Sequence, residues 1–274
     1  YAILAKKSYY MKSTLFTIIT ISYNSSATIE RTIKSVLSQT ISDFEYIIVD
    51  GASTDTTLDI VKKYEPLFEG RLHWQSEPDK GIYDAMNKGI GRSSGQLVGI
   101  VNSDDWLEPD ALQKVFDAYQ RNNCDDNTLY CGGIKLISRK DEKKMPVNLA
   151  KFRRQAPLYV MAGVRHPGVF VPKSVYDKYG IFNSQLRMSA DQDFILRCYY
   201  KGVSFNDINA IISNMAEGGL STGGGKKAWL MAIADREIML KNFGKSGFSL
   251  YWLMFSWRMR NYFRNVLVRI GLYK

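Results

Sequence analysis

Four times between residues 16 and 110 the chain repeats one order of events: a short apolar run, a loop of small polar residues, then a stretch with apolar residues at helical spacing. Phe16-Thr-Ile-Ile-Thr-Ile-Ser22 leads through Tyr23-Asn-Ser-Ser26 to a segment with Ile29, Ile33, Val36 and Leu37 on one face. Phe44-Glu-Tyr-Ile-Ile-Val49 leads through Asp50-Gly-Ala-Ser-Thr-Asp55 to a helix ending near Tyr64. Residues 72–75 lead through Glu77-Pro-Asp-Lys-Gly81 to a helix over 82–88, and residues 97–101 through Asn102-Ser-Asp-Asp105 to a helix opened by Glu108-Pro109. A helix between two strands carries the chain back to the edge it left, so alternation of this kind yields parallel strands. Runs that are apolar on both faces need cover on both faces. The pattern therefore predicts a Rossmann-like α/β domain, a mostly parallel sheet between two layers of helices.

The same order places every polar loop at the carboxyl end of its strand, where open α/β sheets hold their ligands. Ser22, Tyr23 and Asn24, then Asp50, Ser53 and Asp55, then Asp79, Lys80 and Gly81, then Asn102 and Asp104 should converge on one crevice. Their chemistry suits a nucleotide: an aromatic ring stacks on a base, carboxylates accept from base N–H and ribose hydroxyls, and a lysine meets phosphate. Adjacent acids at Asp104 and Asp105 repel each other unless a positive group lies beside them, and a hard divalent cation holding phosphate oxygens is a natural partner. Taken alone, the tetrapeptide 102–105 reads equally as an acidic cap for the next helix. Gly89-Ile-Gly91-Arg-Ser-Ser-Gly95 imitates a dinucleotide fingerprint, but it follows a helix and precedes a strand, the reverse of a phosphate-cradling loop. It reads as a helix C-cap and turn.

Beyond residue 119 the pattern changes. Leu129-Tyr-Cys-Gly-Gly-Ile-Lys-Leu-Ile137 suggests strands broken by a glycine bend, residues 138–148 a charged loop, and His166-Pro-Gly-Val-Phe-Val171 a further strand before a helix opened by Pro172. Met188-Ser-Ala-Asp191-Gln-Asp193 has the small and acidic residues of a helix N-terminus, where the helix dipole alone would favour both acids. The glycine-rich loop 218–225 lacks a Walker-type Lys-Ser or Lys-Thr and reads as a mobile lid.

Charge and cysteine content narrow the functional classes. A formal net charge of +10 calls for an anionic partner, and every charged residue after Glu237 is basic. There, Trp252, Phe255, Trp257, Tyr262 and Phe263 alternate with Arg258, Arg260, Arg264 and Arg269, a mixture suited to a membrane surface or to packing on the domain. Its apolar portion is too short to span a bilayer. The aromatic content argues against a nucleic-acid platform. Three scattered cysteines form no disulfide framework and imply a reducing compartment. Residues 1–10, which precede Met11, read as possible upstream sequence.

Ile19-Thr-Ile-Ser-Tyr-Asn24, Ile47-Ile-Val-Asp-Gly-Ala-Ser-Thr-Asp55, Glu77-Pro-Asp-Lys-Gly-Ile-Tyr-Asp84, Asn102-Ser-Asp-Asp105 and Ala190-Asp-Gln-Asp193, in this order, resemble the family 2 glycosyltransferases of bacterial surface-polysaccharide assembly. The resemblance implies a GT-A catalytic domain over 11–225, with a nucleotide half at 14–120 and an acceptor half at 121–225, followed by a helical extension over 226–274. It implies an inverting hexosyl- or N-acetylhexosaminyltransferase that adds one sugar from a nucleoside-diphosphate sugar, UDP-linked in the first instance, to a saccharide or lipid-linked acceptor. Tyr23 and Asp50 would meet the base, Lys80 the donor, Asp104 the ribose, Asp105 a Mn²⁺ or Mg²⁺ ion, and Asp191 would be the general base. His166 and Asp193 fall on the acceptor side, and a lone His before Pro is equally a structural residue. Asn102 stands where many relatives have Asp, and the Gln-x-x-Arg-Trp element of processive synthases is absent, which favours a single addition. The expected location is cytoplasmic, peripheral on the inner face of the membrane, with no nucleic-acid partner. The rival readings are a nucleotidyltransferase and a non-catalytic membrane-binding protein.

Overall fold

The computed structural model describes residues 14–138, 164–216 and 226–269. In chain order its elements are β1 (Phe16–Ser22), α1 (Ile29–Leu37), β2 (Phe44–Asp50), α2 (Thr57–Tyr64), β3 (Leu72–Ser76), α3 (Ile82–Arg92), β4 (Leu97–Ile100), β5 (Trp106–Leu107), α4 (Ala111–Arg121), β6 (Thr128–Ile137), β7 (Val169–Pro172), α5 (Lys173–Tyr179), α6 (Ala190–Tyr200), β8 (Ser204–Ala216), α7 (Lys226–Asn242) and α8 (Gly247–Arg269). The strands form one sheet in the order β3-β2-β1-β4-β7-β6-β8-β5.

The first half of that sheet is the parallel array the alternation predicts. β1 pairs in parallel with β2 from Phe16↔Phe44 to Ser22↔Asp50, and β4 lies along its other side from Phe16↔Leu97 to Ile19↔Ile100. Strand periodicity divides β1 between two cores. Phe16 and Ile18 face Ile29, Ile33 and Val36 of α1 and Leu112 and Val115 of α4, while Ile19 and Ile21 face Met86 and Ile90 of α3 and Phe194 of α6. The helices thus cover both faces, as runs of this kind require.

The second half departs from parallel pairing. β7 runs antiparallel to β4 (Leu97↔Pro172, Val98↔Val171, Gly99↔Phe170) and to β6. Gly99 is needed at that crossing, since a Cβ would lie 2.5 Å from the Phe170 ring. The expected broken strands over 129–137 are one strand whose register with β8 shifts around Gly133. β8 was not visible in the sequence: its polar residues at 204, 206, 207, 209, 213 and 214 mask an element that pairs with β6 and, at its end, with the two-residue β5. The expected helix stop at Gly89 is also corrected. α3 continues to Arg92, and Gly89 lies inside it because a Cβ there would sit 2.5 Å from Ile19.

The helices that follow residue 226 pack on the domain. Met239 and Leu240 of α7 are buried, and Met239 belongs to the same core as Phe194 and Ile195 of α6. Beyond α7, α8 contributes Met254 to the interior and leaves Phe248, Tyr251, Trp252, Phe255, Tyr262 and Phe263 exposed. No described helix is long and apolar enough to cross a membrane. The predicted glycine-rich lid at 218–225 and most of the charged loop at 138–148 lie outside the described residues.

Candidate active site

The loops at the carboxyl ends of β1, β2 and β3 are joined by one buried carboxylate. Asp50 Oδ1 accepts hydrogen bonds from Ser22 Oγ at 2.9 Å and Ser53 Oγ at 2.6 Å; Oδ2 accepts from the Ser53 N–H at 2.8 Å and Ser76 Oγ at 2.7 Å. Asp50 has no exposed surface. It therefore holds the loops in place. Asp55 also braces the loops. Its carboxylate accepts from Thr57 at the start of α2 and from the Ser26 N–H at 3.1 Å, and these bonds hold it well below the usual carboxylate range. Asn24 bridges the same loops, donating its N–H to Ser53 Oγ at 2.8 Å and accepting the Thr54 N–H at 2.9 Å.

What this scaffold presents outward is Tyr23, 64% exposed, and the third loop. An added Cβ on Gly51 would meet Asp79 Oδ2 at 2.5 Å and the Tyr23 ring at 3.4 Å, so the three loop tips converge on a bare stretch of backbone. Asp79 accepts the Gly81 N–H at 2.8 Å, Gly81 enters α3 with φ of 121°, and the side chain of Lys80 is exposed beside them. Lys88 braces this loop from α3 through Glu77 at 2.8 Å and the Pro78 carbonyl at 3.0 Å.

At the end of β4 the two adjacent acids face different ways. Asp105 is 1% exposed; its Oδ1 accepts the Ala216 N–H at 3.0 Å and its Oδ2 accepts Asn102 Nδ2 at 3.1 Å. Burial, with Asp104 alongside, pushes its carboxyl up to about 8. Asp104 is partly exposed, and its carbonyl accepts Arg31 Nη2 at 3.0 Å, with the same guanidinium stacked 3.6 Å over Trp106. Ser103 Oγ lies 2.8 Å from Ser25 Oγ, joining the fourth loop to the first.

Asp191 stands in the first turn of α6. Tyr83, from α3, donates its hydroxyl to Asp191 Oδ1 at 3.2 Å, its ring packed 5.7 Å from Phe182. His166 Nδ1 lies 3.9 Å from Asp191 Oδ2. Burial lowers the His166 pKa, and the charges of Asp191 and Asp104 both oppose that shift, so the imidazole lies in the field of both acids. His166 Nε2 and Asn102 Oδ1 are buried without a hydrogen-bond partner among the described residues. Asp193 does not join this group. It is buried on another side of α6, where it accepts Arg197 Nη2 at 3.3 Å, and Arg197 also donates to the carbonyls of Tyr179 and Ile181.

These residues fit a divalent cation. The partly exposed Asp104, the buried Asp105 and Asn102 Oδ1, which is buried without a hydrogen-bond partner among the described residues, bring together oxygen atoms of the kind a hard cation takes. Among the described residues no three His, Cys, Asp or Glu side chains cluster tightly enough to hold an ion by themselves. A Mg²⁺ or Mn²⁺ ion would complete its shell with diphosphate oxygens and water, as hard cations with few protein ligands do.

Residues 17–180 match the family described as Glycosyl transferase family 2. The chain belongs to that family. A PGL/p-HBAD biosynthesis glycosyltransferase of Mycobacterium bovis is 30% identical over 190 residues, covering 69% of this chain and 71% of that one. A Bacillus subtilis protein named for teichuronic acid biosynthesis, TuaG, is 40% identical over 111 residues, 40% of this chain and 44% of that one. Among solved structures, residues 1–349 of TarS from S. aureus in complex with UDP-GlcNAc align with a TM-score of 0.64 at 20% identity, covering 83% of this chain and 67% of the other. The TarS complex with UDP gives 0.62, and there the chain spans 66% of that structure. The fold is accordingly GT-A, and the protein is a glycosyltransferase with relatives in cell-surface glycan biosynthesis. Tyr83, which bonds Asp191, had no assigned role in the sequence and was visible only as part of the Glu77–Asp84 motif.

Proposed function

We propose that this family 2 enzyme is an inverting, single-addition glycosyltransferase. In this reading it moves a hexosyl or N-acetylhexosaminyl group from a UDP-sugar to a hydroxyl of a lipid-linked saccharide in surface-polysaccharide assembly. One observation supports the reading: His166 Nδ1 lies 3.9 Å from Asp191 Oδ2, and the charges of Asp191 and Asp104 both act on its imidazole. Inverting transfer needs two groups on opposite sides of the sugar, one for the incoming hydroxyl and one for the departing diphosphate.

Asp191 is the general base. As the acceptor oxygen bonds to the anomeric carbon, Asp191 takes its proton, the bond from that carbon to the β-phosphate oxygen breaks, and the nucleoside diphosphate leaves with the electron pair. Tyr83 keeps the carboxylate aimed by donating to its other oxygen. A bound Mn²⁺ or Mg²⁺ supplies Lewis-acid stabilisation of the leaving diphosphate. The metal and ribose roles that the family resemblance gives to Asp105 and Asp104 are exchanged here on geometry. Asp104 is the partly exposed carboxylate of the pair and Asp105 is buried against the Ala216 N–H, while Asn102 meets a ribose hydroxyl. Tyr23 stacks on the base, and Lys80 lies on the phosphate side. The TarS structures with UDP and UDP-GlcNAc support a uridine donor.

The aromatic face of α8 supports docking to an anionic membrane surface. Phe248, Tyr251, Trp252, Phe255 and Tyr262 fall on one stripe at i, i+3, i+4, i+7 and i+14, with Met254 turned to the interior. Rings at the headgroup level and basic residues near an anionic leaflet suit such a surface. In this reading the enzyme works at the inner face of the cytoplasmic membrane.

The test is donor hydrolysis over a panel of UDP-, GDP- and dTDP-sugars with and without Mn²⁺, in the native chain and in Asp191→Asn. Removing the proton acceptor should lower turnover by roughly 10² to 10⁴ with UDP affinity unchanged. Release of pyrophosphate in place of a nucleoside diphosphate would point to a nucleotidyltransferase and end the reading.

A further inference from the structure

We infer that Asp235 of α7 is a positioning residue for Asp191, so that the aim of the proposed base is set from a helix beyond the family match at 17–180. The inference rests on the reading of Asp191 as general base. Asp235 is 2% exposed, and its carboxylate lies in a cradle of three successive backbone N–H groups. Arg187 N–H is shared between Oδ1 and Oδ2 at 3.1 Å each, Met188 N–H donates to Oδ2 at 2.6 Å, and Ser189 N–H donates to Oδ2 at 2.9 Å. Successive N–H groups turned to one side form an anion nest, and charge-assisted bonds to such a nest are shorter and stronger than neutral ones.

The location of the nest gives it its meaning. Ser189 is the residue before α6, and its side chain makes no cap hydrogen bond to the helix; its carbonyl accepts the Asp193 N–H at 2.9 Å. The turn that leads into α6 is instead held from outside, by a carboxylate 46 residues further along the chain. Asp191 follows two residues after the last cradled N–H. Its carboxylate is then fixed at the other end by the Tyr83 hydroxyl at 3.2 Å, with His166 Nδ1 at 3.9 Å on the remaining oxygen. Asp235 sets the backbone frame from which Asp191 extends, and Tyr83 sets where the carboxylate ends. The bonds of the cradle run to the 187–189 turn and not to the loops that carry Tyr23, Lys80 and Asp104. A fault here should therefore alter the chemistry and leave donor binding as it is.

The experiment is a double-mutant cycle in the full chain, using whichever sugar nucleotide of the panel the native enzyme hydrolyses. Asp235→Asn keeps the shape, weakens acceptance and presents an amide N–H to the backbone donors. Its kcat should fall about 10- to 100-fold, the scale of a displacement near 1 Å at a reacting group, with donor KM and UDP affinity by calorimetry unchanged. The Asp191→Asn/Asp235→Asn double variant should be no slower than Asp191→Asn alone, because a frame has nothing left to aim once its base is gone. A second loss of the same factor in the Asp191→Asn background, or a parallel loss of UDP affinity, overturns the inference. An Asp191→Asn enzyme as fast as the native one removes the base and this role together, whereas a fully active Asp235→Asn enzyme beside a dead Asp191→Asn removes the role of Asp235 alone. Should Asp235→Asn not fold, Asp235→Glu, which keeps the charge on a longer arm, must show the same non-additivity.

Discussion

Replacing Asp50 tests whether this residue binds nucleotide or builds the loops that do. Its four hydrogen bonds come from two kinds of donor. The hydroxyls of Ser22, Ser53 and Ser76 can rotate and become acceptors, but the Ser53 N–H at 2.8 Å cannot. In Asp50→Asn the amide oxygen should therefore stay at the Oδ2 position, opposite that N–H, with the NH₂ group at Oδ1 facing two hydroxyls that turn to accept it. The loss is then the charge assistance of the cluster, about 1–3 kcal/mol. Asp50→Ala leaves the Ser53 N–H unpaired and opens space between three strand ends, for a total of about 3–5 kcal/mol. At roughly 2–4 °C per kcal/mol for a domain of this size, the midpoint of thermal unfolding should fall about 5 °C for Asn and about 10–15 °C for Ala. Below the transition, Asp50→Asn should bind UDP within about threefold of the native chain, a difference of roughly 0.7 kcal/mol. Differential scanning fluorimetry and calorimetry on the same samples give both numbers. An Asn variant as stable as the native chain that loses UDP affinity a hundredfold would show that Asp50 touches the nucleotide, and the argument from its burial would fail.

Other outcomes follow from the same geometry. Asp104→Ala should abolish the Mn²⁺-dependent part of UDP affinity in calorimetry, while Asp105→Asn should retain it at a lower unfolding midpoint; the opposite pattern would return the metal to Asp105. Trp252→Glu with Phe255→Glu should leave donor hydrolysis unchanged and prevent sedimentation with anionic phospholipid vesicles at low salt, and unaltered sedimentation would mean that the exposed stripe serves another partner. Gly95→Ala puts a Cβ 2.5 Å from the Phe16 carbonyl carbon and the Thr17 nitrogen, backbone that cannot yield cheaply. It should cost about 1–3 kcal/mol in chemical denaturation, and an unchanged midpoint would contradict the packing described for the β1–β4 pair.

Much of the donor half was legible because its information is local. An apolar run of strand length, closed by Ser, Asn, Asp or Gly, gives β1 to β4 within a residue or two, and the loops that follow then have only one edge on which to open. The acceptor half was less legible, for a physical reason. β8 is polar along much of its length and gains its strand character from pairing with β6, and β5 is two residues that exist because β8 lies beside them. Side-chain direction was hidden for the same reason. Asp104 and Asp105 are equivalent in sequence, and what separates them is a bond from Asp105 to the Ala216 N–H, 111 residues away. Asp191 and Asp193 were similarly ambiguous until Arg197, one turn along α6, claimed the second of them. Gly89 shows the opposite error: a residue read as local punctuation is placed by a long-range contact with Ile19.

The antiparallel β7 has a further consequence, for anyone who wishes to rebuild this enzyme. In the proposed reading the donor is held by residues 22–105 and the base comes from residues 166–191, and along the sheet these two regions meet at the three rungs from Leu97↔Pro172 to Gly99↔Phe170. A chimera that exchanges acceptor halves between relatives should therefore be cut between α4 and β6, after residue 121, where the donor loops are complete and the strands of the acceptor half have not begun. The graft would have to supply a large ring over Gly99, a backbone N–H for Asp105 and a hydroxyl-accepting carboxylate for Tyr83. A recombinant that meets those conditions would keep one substrate and change the other, a division of labour that the order of the strands has already made.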